Sequence, residues 1–145
     1  MKGCYVLLIK LSKARTITIG RRSDIYFPRG NYAYVGSALG GIKSRLSHYF
    51  NRNRKRHWHI DYLLEEASIT GIVTGETEDR VECAVAQVLS SQFDSIPGFG
   101  SSDCHCHSHL FFGHKERQIK SNVVAVLESL DITAKSIKLR VIENG

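Results

Sequence analysis

The sequence predicts one α+β domain, a small and mainly antiparallel sheet flanked by helices and extended by a C-terminal helix and strand. Three observations predict it. The 145 residues suit one domain with a single core. The apolar residues switch repeatedly between the two-residue period of strands and the three-to-four-residue period of helices. The first strand, GCYVLLIKL, is an almost unbroken apolar run, as a strand covered on both faces requires.

In chain order, Gly3 to Leu11 is that first strand, with Tyr5, Leu7, Ile9 and Leu11 on one side. RTITIG, Arg15 to Gly20, is short, β-branched and closed by glycine, and is expected to form a hairpin with the first strand. RRSDIYFPRG reads as a basic connection ending at Pro28 and Gly30. NYAYVG then alternates, with Tyr32, Tyr34 and Gly36 facing one way and Ala33 and Val35 the other. Gly40 and Gly41 open IKSRLSHYF, where Ile42, Leu46, Tyr49 and Phe50 form a helical stripe with Arg45 at its edge, one turn from His48.

NRNRKR, residues 51–56, is a basic loop. In HWHIDYLLEEA, His57, His59 and Asp61 share a face if extended, whereas Ile60, Leu63 and Leu64 suit a helix. An extended lead into a short helix accommodates both. Ser68 to Gly75 is a strand. TEDRVECAVAQVLSSQF is a helix capped by Thr77 or Asp79, with Val81, Ala84, Val85, Val88 and Leu89 inward. Glu82 falls on the flank of that arc, and Cys83, Gln87 and Ser90 point away. A Gly/Ser-rich loop through DCHCHSH leads to a short apolar run. Ile119, Val123, Val126, Leu127 and Leu130 mark a last helix, followed by a strand from Ser136 to Ile142. With no repeat or linker, the whole of 1–145 reads as one domain, its core at about 3–112 and its extension at about 113–145.

The net charge of +6 is unevenly spread. Residues 1–58 hold thirteen of the twenty Lys and Arg but a single acid, Asp24, so this stretch attracts polyanions. Nucleic acid is the expected partner, through Arg21, Arg22, Lys43, Arg52, Arg54, Lys55 and Arg56. An acidic protein surface is the second candidate partner, and a solvated charged face is the plain alternative. No apolar run approaches the roughly 20 residues of a membrane helix. The apolar start is short and interrupted by Lys10, so no membrane association and a cytoplasmic location are expected.

Two groups of residues carry chemistry. Tyr5 and Tyr34 sit on strands that can neighbour each other, Arg45 on the helix that Gly36 leads into, and Glu82 on the protein-facing flank of another helix. A phosphodiesterase needs a carboxylate for a divalent cation, a cation facing the phosphate, and a polar group for the attacking water. These four residues supply such groups. In the structural alternative the tyrosines pack the sheet and Glu82 pairs with Arg45.

The second group lies in DCHCHSHLFFGH. The four cysteines do not form a disulfide framework, and Cys104 and Cys106 are too close in sequence to bridge each other easily. Cys104, Cys106 and His109, with His59 or His57, are candidate ligands of a structural Zn²⁺. The alternative is a polar loop of buried thiols and hydrogen-bonded histidines. Asp103 is an alternative carboxylate for a divalent ion near Glu82, and His105, His107 and His114 are assigned to solvent.

GCY (Gly3 to Tyr5) and YVG (Tyr34 to Gly36) resemble the two signature elements of the GIY-YIG nucleases. Arg45 matches that family's essential arginine, and Glu82 its metal-binding glutamate. The phrases YVGSALGGIKSR, HWHIDYL, EC and FGSSDCHCHSHLF are also similar to a branch of GIY-YIG-like proteins sometimes fused to endonuclease-III-type DNA glycosylases. The resemblance implies a DNA endonuclease, repair-associated, in which Glu82 holds Mg²⁺ or Mn²⁺ and Arg45 steadies the phosphate. Tyr5 would position or deprotonate water and Tyr34 orient it or a phosphate oxygen. It further implies DNA ahead of RNA as substrate and a DNA-repair protein as partner. The sequence departs from the family in the 29-position separation of Tyr5 and Tyr34, longer than the usual short hairpin, and in having no counterpart to its asparagine. A non-catalytic nucleic-acid-binding module on the same scaffold is therefore the alternative, ahead of a zinc-stabilised protein-interaction domain.

Overall fold

Strand β1 (Gly3–Leu11) is the spine of the sheet, and only Lys10 along it reaches solvent. It pairs antiparallel with β4 (Gly30–Ala38) on one edge, Gly3 opposite Ala38 and Leu11 opposite Gly30. On the other edge it pairs antiparallel with β5 (Ser68–Glu76). A strand with neighbours on both edges and layers on both faces has no polar side to present, which explains the apolar run. The computed structural model describes residues 2–19, 23–38, 40–51, 59–100 and 106–138.

The six-stranded sheet has the order β6-β7-β4-β1-β5-β8, where β6 is Asp94–Ser95, β7 Leu110–Gly113 and β8 Ala134–Lys138. All its pairings are antiparallel, and the fold is α+β. One expected pairing differs. β2 (Arg15–Ile19) does not pair with β1. It forms its own two-stranded sheet with β3 (Ser23–Phe27), within the segment read as a basic connection. Both edges of β1 are occupied by nine-residue strands, so the shorter β2 finds its register with Ile25 and Phe27 instead.

Side-chain alternation sends β1 to two cores. Tyr5, Leu7, Ile9 and Leu11 join Tyr32 and Tyr34 on a first face, covered by the β2–β3 hairpin, α1 (Ile42–Phe50) and α2 (His59–Leu64). Cys4, Val6 and Leu8 join Ala33 and Val35 on the second face, covered by α3 (Glu82–Ser90) and α4 (Glu116–Ser129). A six-residue helix such as α2 is too short to be stable alone. It is held by Ile60 and Leu63, both fully buried, each contributing about 1.5–3 kcal/mol of transfer free energy.

The helices refine the expected faces. Phe50 is 51% exposed, because α1 ends there and its buried anchors are Ile42 and Tyr49. Helix α3 begins at Glu82 behind Val81, with no side-chain cap. Thr77 accepts a hydrogen bond from the Asp79 amide in a turn before the helix. The buried face of α3 is Val85, Ala86 and Leu89, so Ala86 replaces Ala84 and Val88 turns outward. That rotation brings Glu82, one turn before Val85 and Ala86, onto the inward side. In α4 the expected stripe is buried except Leu130, which lies just past the helix and is partly exposed. Among the described residues, no helix is long and apolar enough to cross a membrane.

Candidate functional site

The pairing register explains the Tyr-Val-Gly segment. Tyr5 stands opposite Gly36, and its ring crosses the space a side chain there would fill. A Cβ on Gly36 would fall on the Tyr5 ring and hydroxyl, 2.8 Å from Cε1 at its third contact. The small residue lets Tyr5 reach across β4 toward α1, where its hydroxyl meets that of Tyr49 at 2.6 Å. Tyr34, two residues before Gly36 and opposite Leu7, shares this face and is 8% exposed. Its ring packs edge-on against Phe99, 6.2 Å between centroids at 85°. Gly100, at φ +69°, passes over the same ring where a Cβ would lie 3.0 Å from Tyr34 Cε1.

Around these tyrosines stand charged groups. Burial raises the pKa of Tyr5, Tyr34 and Tyr49, and the Arg45 guanidinium pulls each of them partly back. Asp61 acts on Tyr5 and Tyr34 in the opposite direction to Arg45. Asp61 is only 1% exposed, and the His48 Nε2 lies 3.0 and 3.2 Å from its two carboxylate oxygens. The structure thus gathers Tyr5, Tyr34 and Arg45 with Tyr49, His48 and Asp61. At neutral pH the phenols keep their protons. They can donate hydrogen bonds to an anion or orient a water, but are poor proton acceptors.

Glu82 belongs to a different neighbourhood. Its Oε2 is buried and lacks a hydrogen-bond partner. Its charge acts on Cys4, whose thiol is pushed up to about 12, chiefly by burial and then by Glu82. It acts also on His109, whose pKa burial lowers and Glu82 partly restores. Cys4 is in the second-face core, whereas Tyr5, the next residue, is in the first. The carboxylate accordingly stands with the thiols and His109.

Cys83, Cys106 and His109 converge there, their ligand atoms all within 4.8 Å of one another, and could hold a metal ion. The Cys83 sulfur is 4.0 Å from His109 Nε2. Tetrahedral zinc sets sulfur–nitrogen separations near about 3.6 Å and sulfur–sulfur near about 3.8 Å, so small rotamer shifts would close the site. This set corrects the expected one. His59 lies elsewhere, its ring 5.9 Å from that of Phe99 among first-face residues, because α2 covers that side of the sheet. Cys83 joins instead. Cys104, Asp103, His105 and His57 lie outside the described residues, as do Arg21, Arg22, Arg52, Arg54, Lys55 and Arg56. Lys43 is exposed on α1, and His107 and His114 are exposed as expected.

Tyr49, the His48–Asp61 pair and Cys83 were not among the expected site residues. Tyr49 had been read as part of the apolar stripe, which it is, with its hydroxyl as the added function. For Cys83 the available signal was its place immediately after Glu82 in a chain whose other clustered thiols and histidines need a partner.

No curated protein and no solved structure matches the chain. A family model, Domain of unknown function DUF123, matches residues 4–132. With nearly the whole sheet and both helical layers inside that match, the chain belongs to the DUF123 family.

Proposed function

We propose that the domain acts on nucleic acid as a GIY-YIG-like, metal-dependent DNA endonuclease in a DNA-repair setting. The observation that carries this reading is the meeting of Tyr5, Tyr34 and Arg45 at one polar centre, with Tyr49, His48 and Asp61 around it. Arg45 would face the phosphate charge. The raised tyrosine pKa values favour protonated hydroxyls, so Tyr5 and Tyr34 would orient water or a phosphate oxygen rather than remove a proton. DNA is favoured over RNA by the resemblance alone, and the basic first part of the chain supplies affinity. The cytoplasm and a repair protein partner belong to the same reading.

Two metals enter it. Mg²⁺ or Mn²⁺ would be held by Glu82, whose unpartnered Oε2 supports that role, together with substrate phosphate and water oxygens. When bound, such an ion supplies Lewis-acid stabilisation of the developing charge. The two thiols and imidazole of Cys83, Cys106 and His109 suit Zn²⁺ rather than a hard cation.

The test is a nuclease assay on single-stranded, duplex, flapped and branched DNA with Mg²⁺ or Mn²⁺, beside Arg45→Ala and Glu82→Gln. Cleavage lost in both variants with folding retained supports the reading. Wild-type cleavage by well-folded Glu82→Gln removes Glu82 from the mechanism. The reading as a non-catalytic binding module is favoured by the position of Glu82, whose charge acts on Cys4 and His109. Salt-sensitive binding with no cleavage of any substrate would select it.

A further inference from the structure

We infer that a zinc ion held by Cys83, Cys106 and His109 fixes the wall against which Tyr34 packs, coupling the metal centre to the tyrosine centre. This rests on reading the cluster as a zinc site. The ligands come from two elements, Cys83 from the second residue of α3 and Cys106 and His109 from the segment preceding β7. That segment is laced into the Tyr34 wall. The His109 amide donates to the Phe99 carbonyl at 2.8 Å, and the His109 carbonyl accepts from the Val35 amide at 2.9 Å. The Gly98 amide donates to the His107 carbonyl at 2.7 Å, and that of Ile96 to Leu110 at 3.0 Å. Phe99 and Gly100, which touch Tyr34, therefore lie across a hydrogen-bonded ladder from the metal ligands.

His109 joins the two centres. Its imidazole faces Cys83 and Cys106, its backbone joins the residue next to Tyr34, and its Cβ lies 3.5 Å from where a Cβ on Gly100 would be. Bonds from one ion to all three side chains would pin the ladder to α3, which itself packs on the sheet's second face. Metal binding to a site assembled by the fold adds its free energy to that part of the fold. The donor chemistry excludes magnesium and calcium, which select oxygen, and fits zinc in both softness and geometry.

The experiment has two arms on the full chain. Elemental analysis of purified protein should give about one zinc per chain, reduced by at least about half in Cys83→Ser. Amide hydrogen exchange on wild-type protein before and after chelation reads the coupling. The Val35, Gly98 and His109 amides should lose at least about tenfold in protection, while those pairing β1 with β5 keep theirs. Zinc-free protein, or a mass showing a Cys83–Cys106 disulfide in its place, overturns the zinc reading. Bound zinc whose removal leaves the Val35 and His109 amides unchanged overturns the coupling and leaves the zinc site standing. Because the second arm uses wild-type protein, a variant that fails to fold does not blur the result.

Discussion

Gly36→Ala is the sharpest perturbation of the tyrosine centre. In a strand this change ordinarily favours folding by about 0.5–1 kcal/mol, because alanine has less backbone freedom to lose. Here the new Cβ would lie on Cζ and the hydroxyl of Tyr5, with Cε1 at 2.8 Å. The ring is only 1% exposed, so it has no open space into which to swing. Displacing it overpacks the core at about 1–3 kcal/mol. Separating the Tyr5 and Tyr49 hydroxyls leaves buried polar groups unmatched, at about 1–3 kcal/mol more. The net cost is about 1–5 kcal/mol, a fall in Tm of roughly 3–20 °C for a domain of this size. The assay is chemical denaturation of the four proteins in a cycle of Gly36→Ala and Tyr5→Leu. With the ring gone, Gly36→Ala should cost about nothing or stabilise slightly, giving a coupling of at least about 1 kcal/mol. Additive effects, or a Gly36→Ala protein as stable as wild type, would refute the ring-over-glycine account.

Three further outcomes follow from named groups. Burial, and then the Glu82 charge, push the Cys4 thiol from its ordinary value of 9.0 up to about 12 in the fold, so its contribution to stability is complete below about pH 9. It then declines as pH rises toward 12, at up to about 1.4 kcal/mol per pH unit, and Cys4→Ala should flatten the stability profile between pH 9 and 10 in denaturant titrations. Asp61→Ala should destabilise by roughly 3 kcal/mol, since it removes the buried partner of His48, and Asp61→Asn by less than Asp61→Ala; equal, negligible losses in urea melts would contradict the pairing. Binding to duplex DNA should weaken steeply between 50 and 200 mM salt, and Lys43→Glu should weaken it at low salt, whereas salt-independent affinity would exclude a phosphate-led interface.

The sequence made the sheet and the helical stripes legible where one pattern ran long enough to exclude the others. β1 is a nearly unbroken apolar run of nine residues, β4 and β5 are equally long, and α4 repeats its apolar positions through 14 residues. The β2–β3 hairpin was hidden by composition, since Asp24 and the flanking arginines made Ser23–Phe27 resemble a charged connection. Its alternation of Ile25 and Phe27 was too short to outweigh them. The rotation of α3 was misjudged because four alanines and valines surround the helix almost evenly. Packing into the second-face core, against the sheet and α4, selects Ala86 over Ala84. Cys83 was lost with that rotation. Tyr49 was lost for the opposite reason, because its apolar ring satisfied the stripe and concealed the hydroxyl.

The order Tyr, Tyr, Arg, Glu along the chain says less about one shared site than it first suggests. Adjacent residues of a strand face opposite ways, and the helices carrying Arg45 and Glu82 cover opposite faces of the sheet. Residues so distributed can serve one ligand only at an end of the sheet, where its two faces meet. Such an end exists at the start of β1. Gly3 at the start of β1 lies against the first residue of α1, where a Cβ would be 3.0 Å from Ile42 Cδ1. Glu82, the first residue of α3, acts on Cys4, the next position of the same strand. Both helices therefore begin beside the same end of β1, from opposite sides. A phosphate at that end would be within the influence of both layers, whereas one lying over either face would meet Arg45 or Glu82 alone. At this end the room left by Gly3 and Gly36 is taken by the Gly75 carbonyl with Ile42 and by the Tyr5 ring. An enzyme, unlike a binding module, therefore requires that one phosphate at that end meet both Arg45 and Glu82.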